Sequence, residues 1–101
     1  MHFLLVYEVG AEFVERRAAF RDGHLALAKA TQAQGELLVA GTLAEPVDTV
    51  LLLFRGDSPA VAERFAAADP YVLSGLVHRW RVRPWIASVN TEAAAPAHPI
   101  G

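Results

Sequence analysis

The 101-residue chain is 53 % hydrophobic and 20 % charged, with no cysteine and a formal net charge of −2. A chain of this length forms one domain, its composition excludes a disordered chain, and the lack of cysteine excludes disulfides, thiolate metal sites and a cysteine nucleophile. The slightly acidic balance gives no indication of nucleic acid or of an anionic membrane as a partner, so we expect a small-molecule ligand.

The first half of the chain predicts a strand, a long helix and a hairpin. Residues 2–9 are rich in β-branched and aromatic side chains, which is typical of a strand. Residues 11–34 contain no proline, repeat apolar residues at helical spacing and are followed by Gly35, which together predict one long helix. Residues 36–44 and 48–55 predict strands two and three, joined by a short turn.

The second half predicts a helix, a strand and a tail. Ser58, which precedes a proline suited to the first helical position, predicts the start of a helix over residues 59–68. Residues 78–85 alternate in polarity and are rich in strand formers, as expected of strand four. We expect the domain to span residues 1–87 and the tail, residues 88–101, to be disordered.

This order of elements, βαββαβ, predicts an α+β fold of the ferredoxin-like type with a four-stranded antiparallel sheet. We expect strands one and three to be central and, within that sheet, parallel to each other. Two helices cover only one face, so we predict a homodimer joined through the other sheet faces. Strand four places Arg79, Arg81 and Arg83 on one face, and we expect them at the dimer rim or paired with carboxylates.

The long helix carries polar residues near its buried stripe. A helical wheel gathers five residues on the side that faces the sheet: Phe13, Phe20, Leu27, Ala28 and Thr31. His24 lies in the middle of this stripe, and Arg17 and Arg21 lie close to it. Because burying such groups unpaired costs several kcal/mol, they need polar partners or a place at the end of the sheet.

His24 and Asp69 each have two interpretations. Taken alone, His24 is a core or boundary histidine bonded to a backbone carbonyl, and Asp69 is an N-cap before Pro70. Taken together, Asp69 would fix the tautomer of His24 and make it a general acid/base, while Arg21, one turn earlier, would bind an anionic substrate. The predicted topology allows this proximity because both helices lie on the same sheet face.

Two stretches resemble the YciI-like, or YCII-related domain, family. They are HLALAKATQAQGELLVAGTLAE at residues 24–45 and FAAADPYVLSGLVHRWRVRPW at residues 65–85. With FLLVYEV at the start, the full pattern covers about residues 1–86. The motifs are individually weak, but their order and spacing are specific.

The resemblance implies a dimeric α/β barrel and an active-site pair that corresponds here to His24 and Asp69. It also implies chemistry: one branch of the family is a dehydrochlorinase acting on a chlorinated hydroxyquinol, and looser relatives isomerise lactones or oxidise aromatics. Two positions depart from the pattern. Thr42 stands where many members have proline, near the pocket mouth, and Gly23 precedes the histidine, where glycine costs a helix about 1 kcal/mol relative to alanine.

The functional prediction is a cofactor-independent enzyme acting on a small cyclic or aromatic anion, lyase-like or isomerase-like. His24 and Asp69 are its catalytic candidates, and Arg21, Tyr7 and Tyr71 its substrate-binding candidates, although a strand tyrosine such as Tyr7 also suits plain packing. Two alternatives stay open: a non-catalytic binding module and a purely structural dimer.

We expect no metal and no cofactor, because His2, His78 and His98 are too scattered to form a ligand set. No apolar run approaches the roughly 20 residues that span a bilayer. The opening stretch MHFLLVYEVG also lacks the features of a signal peptide. We therefore expect a soluble, cytoplasmic protein.

Overall fold

The computed structural model describes residues 1–89. Most of the tail that we expected to be disordered, residues 90–101, lies outside the described residues. The elements in chain order are β1 (His2–Val9), α1 (Phe13–Arg16), α2 (Arg21–Ala33), β2 (Leu37–Thr42), β3 (Thr49–Arg55), α3 (Ala60–Ala68), α4 (Pro70–Leu73) and β4 (Val77–Trp85). Within residues 1–89, no helix is long and apolar enough to cross a membrane.

The four strands form one sheet in the order β2-β3-β1-β4, and every neighbouring pair is antiparallel. The predicted ferredoxin-like α+β fold is therefore confirmed. The expectation that β1 and β3 run parallel is wrong, since Tyr7 of β1 lies opposite Val50 of β3 in an antiparallel ladder. The physical reason is that β3 returns from β2 through a hairpin and inserts between β1 and β2, so it opposes both.

The long helix predicted over residues 11–34 is divided into three pieces. A 3-10 helix at Arg17–Ala19 separates α1 from α2, and the backbone leaves the α region at Phe20 (φ −120°, ψ −1°). Hydrophobic periodicity does not detect this break, because a single 3-10 turn changes the apolar spacing by less than one residue. The predicted end is correct: Gly35 follows α2 in the left-handed region (φ 78°).

The core lies between the sheet and the helices. Alternate side chains of the central strands are buried there, with Leu5 and Leu52 fully enclosed. These strand side chains pack against Val61 and Phe65 of α3 and Tyr71 of α4. This alternation directs the polar tip of a residue such as Tyr7 toward the helices.

The opposite sheet face carries Leu4, Val6, Leu51 and Leu53, which pair across β1 and β3. The arginines of β4 lie on this face, since two of them are opposite Leu4 and Val6 in the register. Arg79 and Arg81 approach Glu8 at 3.6 and 3.9 Å, so the predicted pairing with a carboxylate occurs within one chain. These groups are exposed, and such pairs contribute at most about 1 kcal/mol.

Candidate active site

Asp69 stands at the junction between α3 and α4. Its backbone is extended (φ −73°, ψ 123°), which is the conformation that sterics favour before proline. Pro70 is the first residue of α4, and the Asp69 side chain accepts a 3.0 Å hydrogen bond from the Tyr71 backbone N–H. Asp69 therefore caps the short helix, as its sequence position predicts.

The same carboxylate contacts His24. Nδ1 of His24 lies 2.9 Å from both Oδ1 and Oδ2 of Asp69. The Tyr7 hydroxyl donates a 2.8 Å hydrogen bond to Oδ2. Asp69 is fully buried and thus has three partners: one ring nitrogen, one hydroxyl and one backbone amide. Capping and histidine binding are simultaneous functions of one side chain.

This hydrogen-bond pattern assigns the tautomer of His24. Asp69 accepts from a hydroxyl and an amide, so it acts as an ionised acceptor, and Nδ1 of His24 must carry the proton it shares with the carboxylate. The lone pair of neutral His24 is then on Nε2. Within residues 1–89 no side chain hydrogen-bonds to Nε2, and no buried side-chain nitrogen or oxygen there lacks a partner. Nε2 is therefore accessible to a ligand.

Aromatic rings fix the plane of the His24 imidazole. Tyr71 stacks on it with ring centroids 4.0 Å apart and 10° between the planes. Phe65 approaches edge-on at 6.2 Å, and Phe13 in turn meets the Tyr71 ring edge-on at 5.3 Å. Such contacts stabilise ring orientation by about 0.5–1.5 kcal/mol each. The imidazole is held by rings as well as by its carboxylate.

A cavity of about 220 Å³ opens beside His24, between the helices and β2. Its lining combines apolar side chains with Arg17, Arg21 and Thr42. This volume suits one substituted ring, because a dry cavity of about 150 Å³ in another protein binds benzene, and drug-sized ligands need roughly 300 Å³ or more. The arrangement can therefore hold a small cyclic anion against a base.

A larger cavity of about 630 Å³ lies on the open sheet face, lined by His2, Arg55 and residues 85–89 among others. It contains neither His24 nor Asp69. The larger cavity therefore lacks the His24–Asp69 pair, and the candidate site is the smaller cavity, which His24 lines.

Two tyrosines of the site have raised pKa values. Burial raises the pKa of Tyr7 far above its usual value, and the nearby Asp69 carboxylate raises it further. Tyr7 thus stays a neutral hydroxyl that donates to Asp69. Burial also raises the pKa of Tyr71, while the charges of Arg21 and Arg17 oppose that increase.

The structure brings together all five predicted site residues, with one difference in position. His24, Arg21 and Tyr71 line the cavity, and Asp69 lies directly behind His24. Tyr7 does not line the cavity; its side chain is fully buried and reaches Asp69 instead.

Phe65 was not foreseen in the site. Its ring lies edge-on against His24. The available signal is its position four residues before Asp69, in the last turn of α3.

Gly23 has a packing reason. A Cβ at this position would lie 3.0 Å from Cγ of Pro70. The glycine therefore lets α2 approach the start of α4, where Asp69 is located, at a distance that alanine would oppose. The glycine that lowers the helix propensity of α2 therefore also allows His24 and Asp69 to lie close together.

A second histidine–carboxylate pair lies away from the cavity. Nε2 of His78, at the start of β4, contacts Oε1 of Glu12. Within residues 1–89, no three histidine, aspartate or glutamate side chains gather closely enough to hold a metal ion. His2 and His78 belong to no such group, and His98 lies outside the described residues.

The sequence of the chain matches a known protein family. The sequence pattern of the YCII-related domain family matches residues 1–86. The chain belongs to that family. The resemblance inferred from the DPY and glycine-ended helix motifs is thus confirmed, over the residues expected. Comparison with curated proteins finds no match.

Solved structures share the fold. The chain is similar to 5-chloro-2-hydroxyhydroquinone dehydrochlorinase (TftG) from Burkholderia phenoliruptrix, determined in complex with 2,5-dihydroxybenzoquinone. The TM-score is 0.67 and the identity 22 %, over 84 % of this chain and 93 % of that one. A NIPSNAP family protein from Agrobacterium tumefaciens is similar with a TM-score of 0.53 and 19 % identity, over 81 % and 87 % of the two chains. At these identities the likeness shows a common fold.

Proposed function

We propose that this YCII-related protein is a cofactor-independent enzyme that moves a proton on a small cyclic or aromatic anion. The observation that carries the proposal is the buried Asp69, which binds Nδ1 of His24 while Nε2 remains accessible at a cavity sized for one ring. A histidine oriented by a carboxylate is a common general acid/base in enzymes. Arg21 supplies the charge that binds an anion.

A dehydrochlorinase-like elimination shows how the residues divide the work. In the keto tautomer of a chlorinated hydroxyquinol the C–Cl carbon is tetrahedral, and Nε2 of His24 takes the proton of the enol hydroxyl one carbon further along the ring. The O–H electron pair becomes a C=O bond, the enol C=C pair shifts to form a double bond to the C–Cl carbon, the C–Cl pair leaves with chloride, and His24 then releases its proton to water. The net loss is HCl. Asp69, which touches no substrate, stabilises the imidazolium that forms, and Tyr7 holds Asp69.

An isomerisation uses the same groups without a leaving group. His24 removes a proton at one position and returns it at another, while Arg21 stabilises the intermediate anion. The fold shared with TftG supports the dehydrochlorinase-like alternative. The site geometry is equally suited to both.

The second candidate is a non-catalytic binding module. Thr42, Arg21 and the apolar lining would bind a metabolite in the same cavity, and His24 would only donate or accept a hydrogen bond. The mixed lining of the cavity, with Phe13 and Tyr71 beside the two arginines, supports binding of a ring whether or not catalysis follows. A binding module does not require Asp69, whose carboxylate contacts three hydrogen-bond partners behind His24.

The deciding experiment compares His24→Gln and Asp69→Asn with the control His78→Gln, which alters the other histidine. The substrate panel for these variants contains chlorinated hydroxyquinols and lactones, and turnover is followed by chloride release and by absorbance. We expect both site variants to lose at least about 100-fold in kcat, and the control to keep it. Ligand binding without turnover of any panel member by the unaltered protein would favour the binding module.

We also propose a homodimer joined through the open sheet faces. Leu51 and Leu53 stay partly exposed there, and Val39 and Trp85 are 64 % and 50 % exposed. A layer that covers these side chains would remove apolar area from water, at about 25 cal/mol per Å². Sedimentation at micromolar concentration should give twice the 10.9 kDa of one chain. A monomer would contradict this assembly.

A further inference from the structure

Among residues 1–89, the side chains that line the cavity beside His24 include two guanidinium groups and no carboxylate. Arg17 and Arg21 both line it, and none of its lining side chains is acidic. Asp69 is fully buried behind His24, where three hydrogen-bond partners stabilise it, and it does not line the cavity. The charged side chains that line the ligand space are therefore the two arginines.

Neither guanidinium has a carboxylate partner among residues 1–89. Some arginines within residues 1–89 form ion pairs, as Arg64 does with Glu36 and Arg79 with Glu8. Arg17 and Arg21 form no ion pair with a carboxylate of that part of the chain. Because both cations line the same cavity, an anion bound there is attracted by both.

The two arginines are held differently. The guanidinium of Arg17 lies over the ring of Phe13, 5.8 Å from its centroid, and Phe13 is only 1 % exposed. This cation–π contact restrains Arg17. Arg21 begins α2 one turn later and is exposed. Both charges act on the Tyr71 phenol, which stacks on His24, so both lie near the point where a ligand would meet the imidazole.

Building on the proposed function, we propose that Arg17 and Arg21 together select a single-ring substrate that carries two acidic oxygens and binds as a dianion. Each guanidinium then pairs with one anionic oxygen. A ligand with a single charge leaves one arginine without a partner and loses affinity accordingly. Arg17 is thereby a specificity-determining residue, and Arg21 is its counterpart at the other oxygen.

The test measures binding by calorimetry with three ring probes at pH 7. They are 2,5-dihydroxybenzoquinone, with two acidic hydroxyls; benzoate, with one charge; and hydroquinone, which is neutral. Each probe is titrated into the unaltered protein and into Arg17→Gln and Arg21→Gln. The matched control is Arg16→Gln, since Arg16 is exposed, neighbours Arg17 in sequence and does not line the cavity.

We expect the dianion to bind at least about tenfold more tightly than benzoate, and hydroquinone to bind most weakly. Arg17→Gln and Arg21→Gln should each weaken dianion binding by about tenfold or more and reduce its preference over benzoate. Arg16→Gln should change neither. Equal affinities for dianion and benzoate, or an unchanged preference in Arg17→Gln, would overturn the inference. Arg17→Lys keeps the charge on a similar stem and should restore part of the preference if folding is not the cause.

This outcome is separable from that of the proposed function, because binding is measured without turnover. A dianion preference that survives in His24→Gln, together with undiminished turnover in that variant, would contradict the proton-transfer proposal and leave the dianion site standing. Loss of turnover in His24→Gln with no dianion preference would do the reverse.

Discussion

His24 and His78 each place a ring nitrogen against a carboxylate, Asp69 in one case and Glu12 in the other. The side chains of the first pair are 10 % and 0 % exposed, and those of the second are 52 % and 38 % exposed. Asp69 has two further donors, the Tyr7 hydroxyl and a backbone amide, whereas His78 is the side-chain partner recorded for Glu12.

The pairing of a histidine with a carboxylate is therefore not by itself a catalytic feature. Water screens the exposed pair, so its attraction is weak and its geometry is loose. The buried pair is screened much less, and its carboxylate is fixed by donors that do not move with the histidine. Chemistry is expected where the other partners of the carboxylate leave the imidazole one orientation and one free nitrogen.

The largest expected effect comes from removing the buried carboxylate. Asp69→Ala leaves the Tyr7 hydroxyl, the His24 ring and the Tyr71 amide without their acceptor inside the core. We expect the free energy of unfolding to fall by about 3–5 kcal/mol, measured by urea denaturation at fixed protein concentration. A loss near the roughly 1 kcal/mol of a simple helix cap would instead reduce Asp69 to capping.

The matched control for this prediction is Glu12→Ala, which removes the exposed carboxylate. Its effect on the unfolding midpoint should be negligible, because the group is solvated. Asp69→Asn is the milder variant, since the amide oxygen still caps α4. Equal losses in Asp69→Ala and Glu12→Ala would show that burial does not separate the two pairs.

The second effect is an alkaline one and involves Tyr7. Because the folded-state pKa of Tyr7 is raised above the ordinary value of about 10, the neutral phenol favours the folded state. That contribution is fully present below about pH 10 and is lost as the pH rises further, since the unfolded chain then ionises first. Tyr7→Phe should cost about 1–2 kcal/mol at neutral pH and flatten the decline above pH 10. The midpoints of urea denaturation, measured from pH 7 to pH 11, test both the loss of stability at neutral pH and the flatter decline above pH 10.

Tyr71→Phe serves as the comparison for Tyr7→Phe. The backbone N–H of Tyr71, which this change retains, makes its bond to Asp69. The stacked ring is also retained, so neutral-pH stability should change less than in Tyr7→Phe. A larger loss in Tyr71→Phe would mean that the Tyr7 hydroxyl bond contributes little.

Local sequence rules were sufficient for part of this site. The Asp–Pro step predicts the cap at Asp69, because both residues have fixed roles at a helix start. Helical spacing places His24 on the sheet-facing stripe, and the βαββαβ order puts both helices on one face. Proximity of His24 and Asp69 was then allowed by topology, and the family motifs made it the expected arrangement.

The remaining features depend on tertiary register, which no local pattern contains. Alternation in β1 does not tell which helix junction lies over Tyr7, so its bond to Asp69 was missed. The break at Phe20 leaves apolar spacing intact, and the reason for Gly23 appears only when α2 meets Pro70. The parallel direction expected of β1 and β3 was a different kind of error, because the hairpin between β2 and β3 already implies the antiparallel one.

A smaller effect is expected from Gly23→Ala. Alanine gains about 1 kcal/mol of helix propensity, but its Cβ would lie 3.0 Å from the rigid ring of Pro70. We expect these contributions to offset each other within about 1 kcal/mol in urea denaturation. Displacement of Pro70 also moves Asp69, so kcat should fall while stability stays nearly level. A stability gain of the full propensity with unchanged kcat would show that the close approach of α2 and α4 is not needed.

The smallest expected effect is the acid titration of the exposed pair. Glu12's own backbone amide, followed by His78, lowers the pKa of its carboxyl below the ordinary value of 4.5. A lowered folded-state pKa means that the contribution is present above about pH 4.5 and is lost as the pH falls through the folded value. NMR titration of the Glu12 side chain should therefore show a midpoint below that of a free glutamate. In His78→Gln the midpoint should move only part of the way back, because the backbone amide remains. A complete return to the midpoint of a free glutamate would contradict this order of causes. It would mean that His78, and not the backbone amide, lowers the pKa of Glu12.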